Sequence, residues 1–209
     1  MSNIDALIDA MAATFRACPE GHPGTSVGRA VAERLDALDR RATDISTAPR
    51  RVPAADTMDG VLDGAERGPG AALARALRPV LSRVAWHQTY TEAELGPDYL
   101  RNYGYFDIAS PARGLIRTDA LATGFMVIGP GRLYPAHYHP AVELYHVVAG
   151  APDWSIDDGP WQSKPAGSFV FHPTMAVHAM RTGDRPFLAL YAWLGDLNTS
   201  AKLGRPVRD

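Results

Sequence analysis

Hydrophobic residues in the N-terminal third of the chain recur at helical spacing. Over residues 4–15 they fall at intervals of three and four positions, and residues 27–38 repeat this pattern. Such intervals align one face of an α-helix, so both segments are predicted helices that must bury that face against another part of the chain. Residues 71–84 form a third predicted helix, which Pro79 weakens. Residues 42–70 are rich in Pro, Gly, Asp, Thr and Ser, which indicates a long mobile loop with at most one short helix.

The pattern changes near residue 86 to short apolar stretches separated by turn residues. Clusters of Gly, Pro and Asp, such as 129–131 and 157–160, mark the turns. Several short strands at this spacing indicate a mainly β fold, either a sandwich or a small barrel. We therefore divide the chain into an N-terminal α-helical extension, residues 1–84, and a β-barrel domain, residues 85–209. The predicted strands cover residues 115–118, 122–128, 143–149, 154–157, 168–172, 177–181 and 186–193.

Composition and charge exclude several classes of protein. Of the 209 residues 46% are hydrophobic, which suffices for a core, and the net charge of −2 offers no basic surface for nucleic acid. Cys18 is the only cysteine, so neither a disulfide framework nor a thiolate metal site is expected. No apolar run approaches the roughly 20 residues of a membrane helix, and the first residues lack a signal-peptide pattern. We expect a cytoplasmic protein with no nucleic-acid or membrane partner.

Candidate chemistry is concentrated in residues 131–145. His137 and His139 alternate along an extended segment and therefore point to the same side of a strand. Glu143 and Tyr145 can join them from the next strand, after a turn at Pro140. Two neutral imidazoles and a carboxylate that converge suit a divalent transition metal. His178 is the natural candidate for a fourth ligand.

The spacing of these residues resembles the first cupin motif at every position. That motif begins at Gly131, passes through His137, His139 and Glu143, and ends at Gly150. The resemblance implies a double-stranded β-helix barrel that holds one divalent metal ion through His137, His139, Glu143 and His178. A set of three histidines and one glutamate leaves coordination positions open for a substrate.

A second cupin motif is matched less completely downstream. It runs from Gly167 through Pro173 to His178. Met175 stands where this motif usually has a glycine, and Thr182 stands where it usually has an asparagine. Neither departure removes a metal ligand.

More narrowly, the chain resembles the cupin-type dimethylsulfoniopropionate lyases. The shared features are the string 134–145, the segment 102–105 and Trp193, and the resemblance extends over about residues 80–200. It implies a β-elimination that yields dimethyl sulfide and acrylate, with Tyr145 as the general base. The resemblance also implies that Tyr134 helps to hold or deprotonate the substrate. Tyr103 and Trp193 are further candidates for binding the sulfonium carboxylate.

Several alternatives stay open from the sequence alone. The same ligands would serve a cupin dioxygenase or isomerase, and a non-catalytic small-molecule-binding cupin is a third reading. The metal is Zn, Fe, Mn, Ni or Co, since a His₃Glu set accepts all of them. The helices either shield the site or support a homodimer. Among the other histidines, His146 is expected to face away from the site by its parity, His22 and His87 are expected at the surface, and the direction of His172 is undetermined.

Overall fold

The structure is a computed structural model that describes residues 2–40 and 48–206. Its first helix begins with a capping box, in which Ser2 Oγ accepts from the Asp5 amide and the Ser2 amide donates to the Asp5 carboxylate. The helices predicted over 4–15 and 27–38 are both present. The α-helices are α1 (Asn3–Arg16), α2 (Thr25–Asp36), α3 (Met58–Ala65), α4 (Ala71–Leu77) and α5 (Glu92–Arg101), with 3₁₀ helices at Pro53–Thr57 and Arg78–Arg83.

Much of the segment expected to be a mobile loop is helical. Residues 53–65 form a 3₁₀ helix followed by α3, and one side of α3 is buried through Met58, Val61 and Leu62. Apolar residues at intervals of three and four produce this face, although Gly and Asp lie between them. Residues 42–47 of that prediction lie outside the described residues. The third predicted helix ends as an α-helix at Leu77 and continues as the 3₁₀ helix Arg78–Arg83, whose second residue is Pro79.

Eleven strands follow the helices in the described part of the chain. They are β1 (Tyr103–Ser110), β2 (Ile116–Arg117), β3 (Ala122–Ile128), β4 (Leu133–Tyr138), β5 (Val142–Ala149), β6 (Asp153–Ile156), β7 (Gln162–Ser163), β8 (Phe169–His172), β9 (His178–Arg181), β10 (Phe187–Leu194) and β11 (Lys202–Leu203). All of the predicted strands are present within about two residues. The strands form a six-stranded sheet with the order β2-β1-β3-β10-β5-β8 and a five-stranded sheet with the order β11-β4-β9-β6-β7.

The six-stranded sheet separates two hydrophobic cores. Its outer face packs against the N-terminal helices, where Phe15 of α1 and Leu144 of β5 belong to one cluster. Its inner face meets the five-stranded sheet in a second cluster, which contains Tyr145 from the first sheet and Trp154 from the second. The helices thus cover the outside of a barrel whose interior is aromatic. The division between residues 84 and 85 stays a prediction.

The described residues contain no helix long and apolar enough to cross a membrane.

Candidate metal centre and active-site cavity

Strand register brings the candidate ligands together from both sheets. On the five-stranded sheet, His137 of β4 lies opposite His178 of β9. On the six-stranded sheet, Glu143 of β5 lies opposite His172 of β8 on one side and Trp193 of β10 on the other. Side chains opposite each other on one face are close neighbours. The two registers therefore direct imidazoles and a carboxylate into the space between the sheets.

A buried cluster of three histidines surrounds one carboxylate oxygen. Oε2 of Glu143 lies 3.1 Å from Nε2 of His139, 2.8 Å from Nδ1 of His172 and 3.6 Å from Nε2 of His178. One ligand-type atom from each of the four residues lies within 4.8 Å of the other three. This donor set suits a divalent transition metal.

Three imidazole rings are oriented for metal binding by the same kind of hydrogen bond, from Nδ1 to a backbone carbonyl. Each places Nδ1 about 3 Å from a backbone carbonyl oxygen, so Nδ1 carries a proton and Nε2 is the nitrogen left to ligate an ion. Nε2 of His178 is buried and has no hydrogen-bond partner among the described residues, as expected for a nitrogen that ligates an ion. The three pairs are His137 with Pro135 at 2.9 Å, His139 with Ala141 at 3.0 Å and His178 with Ala176 at 3.0 Å.

His137 lies next to the cluster of His139, Glu143, His172 and His178 but is not one of its four members. Its ring centroid lies 4.0 Å from that of His178, and its other face stacks on Tyr134 at 3.8 Å. Burial lowers the pKa of His137 to about 3, so the ring is neutral and can donate a lone pair at physiological pH.

His172 was not predicted as a site residue, and the structure gives it a defined role. Nε1–H of Trp154 donates to Nε2 of His172 at 3.0 Å. Because an indole nitrogen can only donate, the proton of a neutral His172 must be on Nδ1. That nitrogen then donates to Glu143 at 2.8 Å. His172 therefore orients the carboxylate, and its direction follows from pairing between β5 and β8.

Trp193 holds the second oxygen of the same carboxylate. Its Nε1–H donates to Oε1 of Glu143 at 2.5 Å, and its ring stacks on His139 at 4.2 Å. Burial opposes the charge on Glu143, yet the positive charge of His139 and the hydrogen bonds from His139 and His172 prevail and lower its pKa well below the usual range. The carboxylate is therefore ionised.

The predicted catalytic tyrosines line the same cavity, whose volume is about 170 Å³. Burial, followed by the charge of Glu143, raises the pKa of Tyr145 well above its usual value. Burial also raises the pKa of Tyr134, whose hydroxyl lies 3.0 Å from that of Tyr90. Tyr103 also lines the cavity, with its ring 5.5 Å from that of Tyr134. In the protein alone, both catalytic candidates therefore keep their protons at neutral pH.

The two departures from the second motif have local explanations. Met175 has φ of 64°, a left-handed conformation that favours glycine, and its amide donates to the carbonyl of His139. Thr182 is buried, and its hydroxyl accepts from the Arg132 amide and donates to the carbonyl of Gly129. The threonine thus joins β9 to the turn before β4.

His146 points to the other face of its strand, as its parity indicates. It packs against Phe169 at 4.7 Å between ring centroids. Neither of the two upstream histidines is fully exposed: His87 contacts the ring of Tyr105, and His22 accepts from the Gly24 amide.

Comparisons with known proteins agree with this geometry. A family model described as dimethylsulfoniopropionate lyase matches residues 27–189. The dimethylsulfoniopropionate lyase DddQ of Ruegeria pomeroyi is 33% identical over 170 residues, which cover 81% of this chain and 84% of that protein.

Solved structures give the same result. The crystal structure of the DMSP lyase DddQ from Ruegeria pomeroyi is 28% identical, with a TM-score of 0.71 over 95% of this chain and 96% of that one. A chain from the crystal structures of the DMSP lyases RdDddP and RnDddQII is 27% identical, with a TM-score of 0.71 over 97% of this chain and 98% of that one. The mainly β cupin barrel with N-terminal helices is confirmed, and the chain belongs to the dimethylsulfoniopropionate lyase family, whose members are carbon–sulfur lyases.

Proposed function

We propose that this protein cleaves dimethylsulfoniopropionate by β-elimination to dimethyl sulfide and acrylate, with Tyr145 as the general base. The observation that carries the proposal is that Tyr145 lines one cavity together with Glu143, the carboxylate that the buried histidines surround. Membership of the lyase family supports the same activity.

The proposed ligands of one divalent transition metal ion are His137, His139, Glu143 and His178. All three histidines donate Nδ1–H to a backbone carbonyl oxygen, which makes Nε2 the nitrogen that would ligate the ion. His172 differs, since its protonated Nδ1 donates to Glu143 instead of to a backbone carbonyl and its Nε2 already accepts from Trp154. This difference favours His137 over His172 as the fourth ligand. The bound ion would act as a Lewis acid on the substrate carboxylate and would favour ionisation of a nearby phenol.

Tyr145 would take the proton from the carbon next to the carboxylate. The electrons of that C–H bond form the C=C bond of acrylate, and the electrons of the C–S bond leave with dimethyl sulfide. Without a nearby cation, burial and Glu143 keep the phenol protonated. The base is therefore active only in the metal-loaded protein. Tyr134, whose hydroxyl is fixed by Tyr90, would hold the substrate in place.

The rest of the cavity suits a sulfonium group. Such a cation has no hydrogen-bond donor and binds well to aromatic faces. Tyr103 and Trp193 offer such faces in the same cavity. Trp193 would also orient Glu143, because its indole N–H donates a hydrogen bond to that carboxylate.

The decisive experiment measures both products from the purified protein. Metal-free protein is loaded separately with Zn, Fe, Mn, Ni or Co and incubated anaerobically with dimethylsulfoniopropionate. Equal amounts of dimethyl sulfide in the headspace and acrylate in solution are expected. Activity that requires oxygen would indicate a dioxygenase instead, and absence of both products with every metal would refute the lyase.

A further inference from the structure

One end of the cavity carries a buried carboxylate that the proposed chemistry does not use. Asp107 of β1 lines the cavity and is 7% exposed. In register across the sheet, Asp107 lies opposite Gly124, Gly124 lies opposite Tyr191, and Tyr191 lies opposite Tyr145. Asp107 is thus in the same row of side chains as the proposed base.

Tyr191 connects this carboxylate with the reaction centre. Its hydroxyl donates to Asp107, and its ring lies 6.3 Å from that of Tyr145. Gly124 of β3 lies between Asp107 of β1 and Tyr191 of β10, and it has no side chain that would block the contact between them. A substrate whose reacting carbon lies at Tyr145 would therefore extend its far end along this row towards Tyr191 and Asp107.

A cation of the protein already lies against this carboxylate. The guanidinium of Arg113 lies 5.5 Å from the ring centroid of Tyr105, and its Nε lies 3.6 Å from Asp107. The Arg113 side chain is 42% exposed and belongs to the loop after β1, whereas the Asp107 side chain is 6% exposed. The ion pair is long and open on one side, so a competing cation can reach the carboxylate.

We propose that Asp107 and the ring of Tyr105, supported by Tyr191, complete the subsite for the sulfonium of the substrate beside Tyr103, whose ring lies 6.4 Å from that of Tyr105, and that Arg113 occupies it until the substrate displaces it. This inference rests on the proposed function. His87, which packs on the ring of Tyr105, adds no competing positive charge to this subsite. Burial and the charge of Arg113 lower the pKa of His87 and keep its ring neutral. With Arg113 displaced, Asp107 supplies the negative charge of the subsite. A carboxylate next to aromatic faces attracts an onium ion more strongly than a neutral group of the same shape.

Binding measurements on the metal-loaded protein test the subsite without turnover. The probes are 3-(trimethylammonio)propanoate, which carries the positive charge, and 4,4-dimethylpentanoate, which has the same shape without it. The wild-type protein is expected to prefer the cationic probe. Asp107→Asn keeps an acceptor for the Tyr191 hydroxyl and should reduce that preference about tenfold, equivalent to about 1.4 kcal/mol. Asp153→Asn is the control, because it alters an ion pair with Arg181 on a different sheet.

Arg113→Ala should have the opposite effect and strengthen binding of the cationic probe several-fold. If Arg113 instead bound the carboxylate shared by both probes, this variant would weaken both equally, and the proposal would be wrong. Equal affinity of the wild-type protein for the two probes would also overturn it. Charge preference that depends on Asp107, without any release of dimethyl sulfide, would refute the lyase and leave the cation subsite standing.

Discussion

The indole N–H of Trp154 donates to Nε2 of His172 at 3.0 Å, and this contact decides which nitrogen of His172 faces Glu143. All three side chains are buried, so the hydrogen bonds between them are protected from water. Hydrogen bonds to a ligating carboxylate fix its orientation, and their loss typically costs 10- to 100-fold in metal affinity.

Trp154→Phe should therefore weaken metal binding by about tenfold or more. The substitution removes the N–H and allows the proton of His172 to move to Nε2. Chelator competition with Zn²⁺ measures the affinity, and ¹⁵N chemical shifts of the imidazole report the tautomer. The control is Trp161→Phe at an exposed tryptophan. An unchanged tautomer with unchanged affinity would show that Trp154 only fills space.

His137→Gln and His172→Gln should differ in the visible spectrum of the Co²⁺-loaded protein. If His137 is a ligand, its replacement changes the donor set and hence the band positions and intensities. Replacement of His172 should lower Co²⁺ affinity and leave the band pattern unchanged. The reverse result would assign the fourth ligand to His172, in agreement with its short distance to Glu143.

Tyr145→Phe should keep the metal and the fold but lose turnover by about 10² to 10⁴. Only the phenolic oxygen is removed, and with it the proposed base. Metal content and kcat are measured on the same preparation. Tyr138→Phe is the matched control, since it removes a tyrosine hydroxyl from β4, the strand before β5 in sequence, at a position with opposite parity to His137. Near wild-type kcat in metal-loaded Tyr145→Phe would refute the mechanism, and loss of the metal would indicate that Tyr145 is mainly a ligand.

His146 should make the protein less stable in mild acid. Burial lowers its pKa to about 4, whereas the unfolded chain takes up this proton near pH 6.5. The stabilisation is therefore complete above about pH 6.5 and is lost as the pH falls towards 4. At about 1.4 kcal/mol per pKa unit, the loss is about 3 kcal/mol.

His146→Leu should remove this part of the pH dependence. Urea unfolding of the wild-type protein and the variant at pH 7.5 and pH 5 gives the free energy of unfolding of each. The difference between the two proteins isolates His146 from the other histidines. Parallel pH dependence would show that His146 does not titrate in this range.

Local sequence patterns predicted the regular elements because neighbouring residues determine them. The helix predicted over 4–15 is observed at Asn3–Arg16, and the strand predicted over 122–128 is observed at Ala122–Ile128. The helix shows apolar residues at intervals of three and four, and the strand is a short apolar run bounded by turn residues. The cupin barrel could also be inferred from sequence, since the motif spacing is local to two short segments. In contrast, β1 (Tyr103–Ser110) was missed because its Gly, Asp and Ser resemble turn residues.

The composition of the candidate site was only partly visible in the sequence. Periodicity shows which side chains share a face of one strand, and this was enough to place His137 with His139 and Glu143 with Tyr145. Periodicity along one strand does not show which residues of other strands lie opposite these side chains. Strand pairing with Glu143 brings His172 to the carboxylate, and strand pairing with β3 brings Asp107 into the cavity. Only the tertiary structure decides these contacts, because register between distant strands depends on packing across the whole sheet.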